Sequence, residues 1–93
     1  MKREEILNKA KSLVNGPRAK AYGDAYENHE RIAVIWTVIL GKEITADQVA
    51  LCMAGVKMAR LIQSPNHNDS WLDLAGYAAV GAECAHERQQ DDS

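Results

Sequence analysis

The sequence predicts an all-α fold, a compact bundle of about four helices that assembles with further copies of itself. Three observations carry this. Apolar residues recur with helical spacing in four stretches, and each stretch stops at Gly, Pro or a polar cap. No segment alternates with the period of two that a half-buried strand requires. One stretch is apolar on every face, which asks for burial on every face.

In the first helix, residues 2–14, Ile6, Leu7, Ala10, Leu13 and Val14 fall on one stripe, and Asn15-Gly16-Pro17 stops it. A second helix is expected from about Ala25 to Leu40, before Gly41. Asp24 and Glu27 have the spacing of a capping box, in which the Asp24 carboxylate accepts from backbone N–H groups. Its first half is polar, and its second half, Ile32 to Leu40, is interrupted only by Thr37. Short neighbours cannot enclose such a helix, so association of copies is expected. Thr45 and Gln48 form a second capping box, opening a third helix that runs to about Gln63. Its apolar stripe is read as Val49, Cys52, Met53, Val56 and Ala59. The turn Asn66-His67-Asn68-Asp69-Ser70 precedes a fourth helix, about Trp71 to Glu87. There Gly76 and Gly81 cost about 1 kcal/mol each relative to Ala, which implies close packing or close ligand approach.

The chain has 93 residues, one domain on length alone. Its expected organisation is an N-terminal helix and stop (1–17), a core carrying the polar motifs (18–88) and a frayed tail (89–93). A net charge of -2 argues against a bulk grip on duplex nucleic acid. No run is long enough to span a bilayer. Cys52 and Cys84 lie within helical stretches without a CxxC pair, so they read as small buried hydrophobes. With no secretory leader, a reducing cytoplasm is expected.

The densest polar cluster is Arg18, Tyr22, Gly23, Asp24, Glu27, Asn28, His29 and Arg31. A helix start with unsatisfied N–H groups attracts anions. Arg18 and Arg31 can clamp phosphate, Tyr22 can stack, and Asn28 and His29 can read a base or ribose edge. The plainer reading is a capped, solvated first turn. Lys57 and Arg60 are either a phosphate clamp or a solvated basic pair, and spacing alone favours the pair. Asp69 and Asp73 lie one turn apart. They could bridge a divalent metal with Glu27 and Glu30, or Asp73 could pair with Arg31 or Arg60; the ion pair is favoured. Trp71 divides evenly between core and stacking platform, and Tyr77 could line a cavity beside Gly76. No zinc-ligand spacing, nucleophile elbow or phosphate-binding loop is present.

The string Tyr22-Gly23-Asp24-x-x-Glu27-Asn28-His29-x-Arg31-Ile32-Ala33, with Lys57-x-Ala59-Arg60-Leu61 and Asp69-x-Trp71-x-Asp73-x-x-Gly76-Tyr77-Ala78, resembles a family of small phage- and prophage-encoded helical proteins of unknown function. More distantly it is similar to phage nucleotide-modification-associated domains, which share a Tyr-Gly, a Lys-x-x-Arg and an Asp-x-x-x-Asp-x-x-x-Tyr element. The resemblance covers about Arg18 to Glu83. It implies a phage protein in the cytoplasm of an infected bacterium. It also implies that the scattered motifs form one site for a phosphate-bearing small molecule: Arg18, Tyr22, Asp24, Asn28, His29, Arg31, Lys57, Arg60, Trp71, Asp73 and Tyr77. The expected function is sequestration of a nucleotide, cyclic nucleotide or ADP-ribose-type signal against host defence, with no cofactor and no catalytic set. Two alternatives stand beside it. One is a magnesium-dependent all-α pyrophosphohydrolase; Glu27-x-x-Glu30 fits that class, while Asp69-x-x-x-Asp73 departs from its second acidic pair. The other is an interaction module with no small ligand.

Overall fold

The computed structural model describes residues 1–16 and 24–92. Four helices form in chain order: α1 (Arg3–Asn15), α2 (Ala25–Leu40), α3 (Ala46–Gln63) and α4 (Asn68–Asp92). No strand occurs among the described residues. α4 is the hub and packs against each of the other three helices.

Local chemistry sets the boundaries. Asp24 caps α2, its Oδ2 accepting from the Glu27 N–H at 3.1 Å. Gly41 ends that helix in the left-handed region at φ 66°, and its N–H donates to the Thr37 carbonyl at 2.9 Å. Thr37, the polar break in the apolar run, has its own task. Its Oγ1 accepts from the Ile44 N–H at 2.9 Å and ties the 41–45 connection back onto α2. At the start of α3, Gln48 Oε1 accepts from the Thr45 N–H at 2.9 Å.

α4 is longer than its sequence pattern suggests. It begins at Asn68 rather than Trp71 and continues to Asp92, through the segment expected to fray. The early start is fixed by Ser70, which is fully buried with its hydroxyl 2.7 Å from His67 Nδ1.

Small residues build the core. Gly81 sits where an added Cβ would lie 3.0 Å from the Ala50 Cβ, so α3 and α4 approach closely there. At Gly76 an added Cβ would meet Val14 Cγ1 at 3.4 Å, which seats α1 on α4. The buried side of α3 is Val49, Ala50, Ala54 and Leu61. This corrects the expected stripe in part: Val49 is buried and Met53 half-buried, but Cys52, Val56 and Ala59 are exposed, because the face that meets α4 is the one carrying Ala50, where Gly81 approaches. The expectation of a buried Cys52 fails for the same reason, whereas Cys84 is buried. Nor does this chain enclose α2. His29 and Ala33 are buried, while Val34, Ile35, Val38, Ile39 and Leu40 remain exposed.

Candidate functional site

α2 and α4 run in the same direction and α3 runs against both. His29 meets Tyr77 at one end, while Thr37 and Ile44 lie beside Asp47 and Arg88 at the other. The first end therefore gathers the start of α2, the end of α3 and the start of α4. Two helix N-termini there present partly positive N–H groups. Most of the polar residues singled out in the sequence fall at this end.

His29 is the centre of it. The ring is 7% exposed, and its Nδ1 lies 2.9 Å from the Ala25 carbonyl oxygen. Nδ1 therefore donates to that carbonyl, and in the neutral ring Nε2 is an acceptor. That Nε2 is buried without a partner. The ring packs on Tyr77 with centroids 6.0 Å apart and planes tilted by 58°. One turn before Tyr77 on α4, Asp73 pairs with Lys57 of α3 at 3.0 Å. The Lys57 side chain is 14% exposed and that of Asp73 32%, so the pair is half sunk in the seam between the helices.

Three helices thus bring together His29, Lys57, Asp73 and Tyr77. Asp73 takes Lys57 and neither Arg31 nor Arg60, which corrects the expected pairing. Lys57 points toward α4 on the buried side of α3, whereas Arg31 and Arg60 are exposed. Among the described residues neither arginine has an ion-pair partner. Asn28 is exposed too. Trp71 is 45% exposed, and its indole N–H donates to the Pro65 carbonyl at 2.9 Å, so it stands as a fixed surface ring rather than a core residue. Arg18 and Tyr22 lie outside the described residues.

Glu27, Glu30, Asp69 and Asp73 do not gather. Among the described residues no three His, Cys, Asp or Glu side chains converge as metal ligands. Glu27, Glu30 and Asp69 point to solvent, and Asp73 is engaged by Lys57.

The opposite end carries features that the motifs did not reveal. Arg88 donates through Nε and Nη2 to the two carboxylate oxygens of Asp47, both at 3.0 Å. These hydrogen bonds hold the Asp47 carboxyl below its ordinary value of 3.8. The pair borders a groove of about 400 Å³ floored by Ala33, Thr37 and Cys84. Burial, reinforced by nearby carboxylates, pushes the Cys84 thiol up to about 11. The two partners stand 41 positions apart, so no local spacing marks them.

Comparison with known proteins gives a family without an assigned activity. DUF6378, a domain of unknown function, matches residues 5–85. The chain is 47% identical over 76 residues to the Gene 55 protein of Mycobacterium phage L5, covering 81% of this chain and 49% of that protein. Against the Gene 55 protein of Mycobacterium phage D29 it is 43% identical over 75 residues, covering 81% and 50%. It therefore spans about half the length of these relatives. No solved structure matches it. The match takes in most of α1, all of α2 and α3 and α4 as far as Ala85, and with them every described residue of the His29 end; the chain belongs to the DUF6378 family, whose relatives include these mycobacteriophage proteins.

Proposed function

We propose that the His29 end binds a nucleotide or nucleotide-derived signal, of the cyclic nucleotide or ADP-ribose type, and holds it without cleaving it. In a phage protein, such retention would draw down a signal of host defence. The buried, unpartnered Nε2 of His29 carries the reading. An acceptor held away from water costs about 1–3 kcal/mol until a donor reaches it, and a base amine or ribose hydroxyl is such a donor. Phosphates would meet Arg31 and Arg60, which have no competing ion pair among the described residues. Lys57 would be shared with Asp73, and Trp71 offers an exposed ring face. The scattered carboxylates give no support to magnesium-dependent hydrolysis.

The test is recovery. Purified protein is mixed with nucleoside triphosphates, cyclic nucleotides and ADP-ribose derivatives in the presence of magnesium, then denatured and chromatographed. A ligand that leaves the free pool and returns intact supports retention. Return of a cleaved product moves the function to hydrolysis, and no depletion of any compound leaves the interaction module as the better account. Arg31→Ala and Arg60→Ala should each weaken binding by roughly tenfold, the loss of one charge-assisted hydrogen bond. Unchanged affinity in both variants would remove the arginines from the pocket.

A further inference from the structure

We infer that the outward face of α3 is a self-docking surface, on which a second copy of this chain packs its own α3 across Gly55. Leu51, Gly55, Met58 and Ile62 are spaced i, i+4, i+7 and i+11, one row over three turns. Leu51 is 69% exposed, Met58 51% and Ile62 86%. Val56, Cys52 and Ala59 widen the row and are exposed too. From Gln48 to Ala59 the only charged residue is Lys57, and it turns inward to Asp73. A helix face meant for water carries charges; this one has none to bury when it is covered.

Gly55 identifies the crossing point. Nothing lies within 4 Å of where its Cβ would stand, in contrast to Gly76 and Gly81, whose neighbours explain them. Within this chain, then, Gly55 costs helix propensity of about 1 kcal/mol with no packing to justify it. A second helix crossing over it supplies the missing reason, since a bare backbone lets helix axes approach closely.

The occupant is argued from symmetry, area and charge. Large residues flank Gly55 on both sides, so a two-fold axis near it sets Leu51 of one copy toward Ala59 of the other, and Cys52 toward Met58. Nine large aliphatic side chains are at least half exposed on α2 and α3: Val34, Ile35, Val38, Ile39 and Leu40, with Leu51, Val56, Met58 and Ile62. The four on α3 alone amount to on the order of 400 Å², the size of the largest patch on a typical monomer, and α2, which packs against α3, carries the other five. A net charge of only -2 per copy opposes association weakly. The inference does not depend on what the His29 end binds.

Sedimentation equilibrium from low micromolar to submillimolar protein tests it. The wild type should be dimeric or larger, and Ile62→Glu and Leu51→Lys should each be monomeric with unchanged helical circular dichroism. Both positions are exposed, so the fold should tolerate either change; agreement between the two variants guards against misfolding of one. Gly55→Leu, which adds apolar bulk and no charge, should weaken association at least tenfold, as only a close crossing requires. A wild type that stays monomeric throughout overturns the inference. So does a folded Ile62→Glu that still dimerises, or dissociation by Val38→Glu on α2 with the α3 variants unaffected.

Discussion

A single ion pair in the seam shows how much a side chain's surroundings decide. Lys57 and Asp73 meet at 3.0 Å with most of the lysine side chain out of water. Removing one partner strands the other in a half-buried site, which costs more than removing both. Asp73→Ala should therefore destabilise by about 1–2 kcal/mol, scaled down from a fully buried pair because Asp73 is partly exposed. The double variant Lys57→Met with Asp73→Leu should lose less than the two single changes summed. Urea unfolding of the four proteins closes the cycle, and strict additivity would mean that the contact does not couple the residues. The Lys57-x-x-Arg60 spacing reads as a solvated basic pair, which holds for the exposed Arg60 and fails for Lys57, largely buried against Asp73. Partner choice depends on which side of α3 is buried, and the sequence pattern pointed to the wrong side. The thiols teach the same lesson. Cys84 is 1% exposed and should resist thiol reagents until the protein unfolds, whereas Cys52, expected to be buried, is exposed.

Helix by helix, the three internal glycines separate packing from propensity. Adding a methyl to any of them gains about 1 kcal/mol of helix propensity. At Gly81 that methyl would lie 3.0 Å from the Ala50 Cβ, an atom fixed to backbone, so the two helices would have to part. Overpacking of this kind costs about 1–3 kcal/mol, and Gly81→Ala should lower Tm. Gly55→Ala meets open space and should raise the Tm of the monomer, even as it weakens the proposed crossing. Thermal melts in the dilute, monomeric range should give shifts of opposite sign; equal shifts would contradict the packing described at Gly81. The number and order of helices were readable because caps and stops are local: Asp24, Gly41 and Thr45 each act within a turn of where they stand. The inward faces were not. α3 buries Ala50 and Ala54 together with Val49 and Leu61 and leaves Leu51, Val56, Met58 and Ile62 exposed, so apolar spacing alone did not say which stripe faces inward. α3 packs against both α4 and α2 within the chain and still leaves these four side chains exposed, the face on which the second copy is placed.

Across the whole molecule, the motif-bearing end and the Asp47–Arg88 end divide the work. The first draws residues from three helices into one seam. Spacing within each helix could not have shown that, and the likeness of the combined motifs to a family is what grouped them. The second end is a tertiary clasp between the first turn of α3 and the far part of α4. Hydrogen bonds from Arg88 keep Asp47 ionised more readily in the folded chain than in the unfolded one. A carboxyl so depressed stabilises the fold fully above its ordinary value of 3.8, and that contribution fades as pH falls through the lower folded value. The Arg88 side chain is 49% exposed, so solvent screening limits the pair to about 0.5–1 kcal/mol. For a chain of this size, Arg88→Met should then lower Tm by about 2–8 °C at neutral pH. As the pH is brought toward about 2, the melting curves of wild type and variant should converge, because a protonated Asp47 no longer rewards the guanidinium. A deficit that stays constant down to that pH would assign the stabilisation to packing of the arginine stem rather than to its charge.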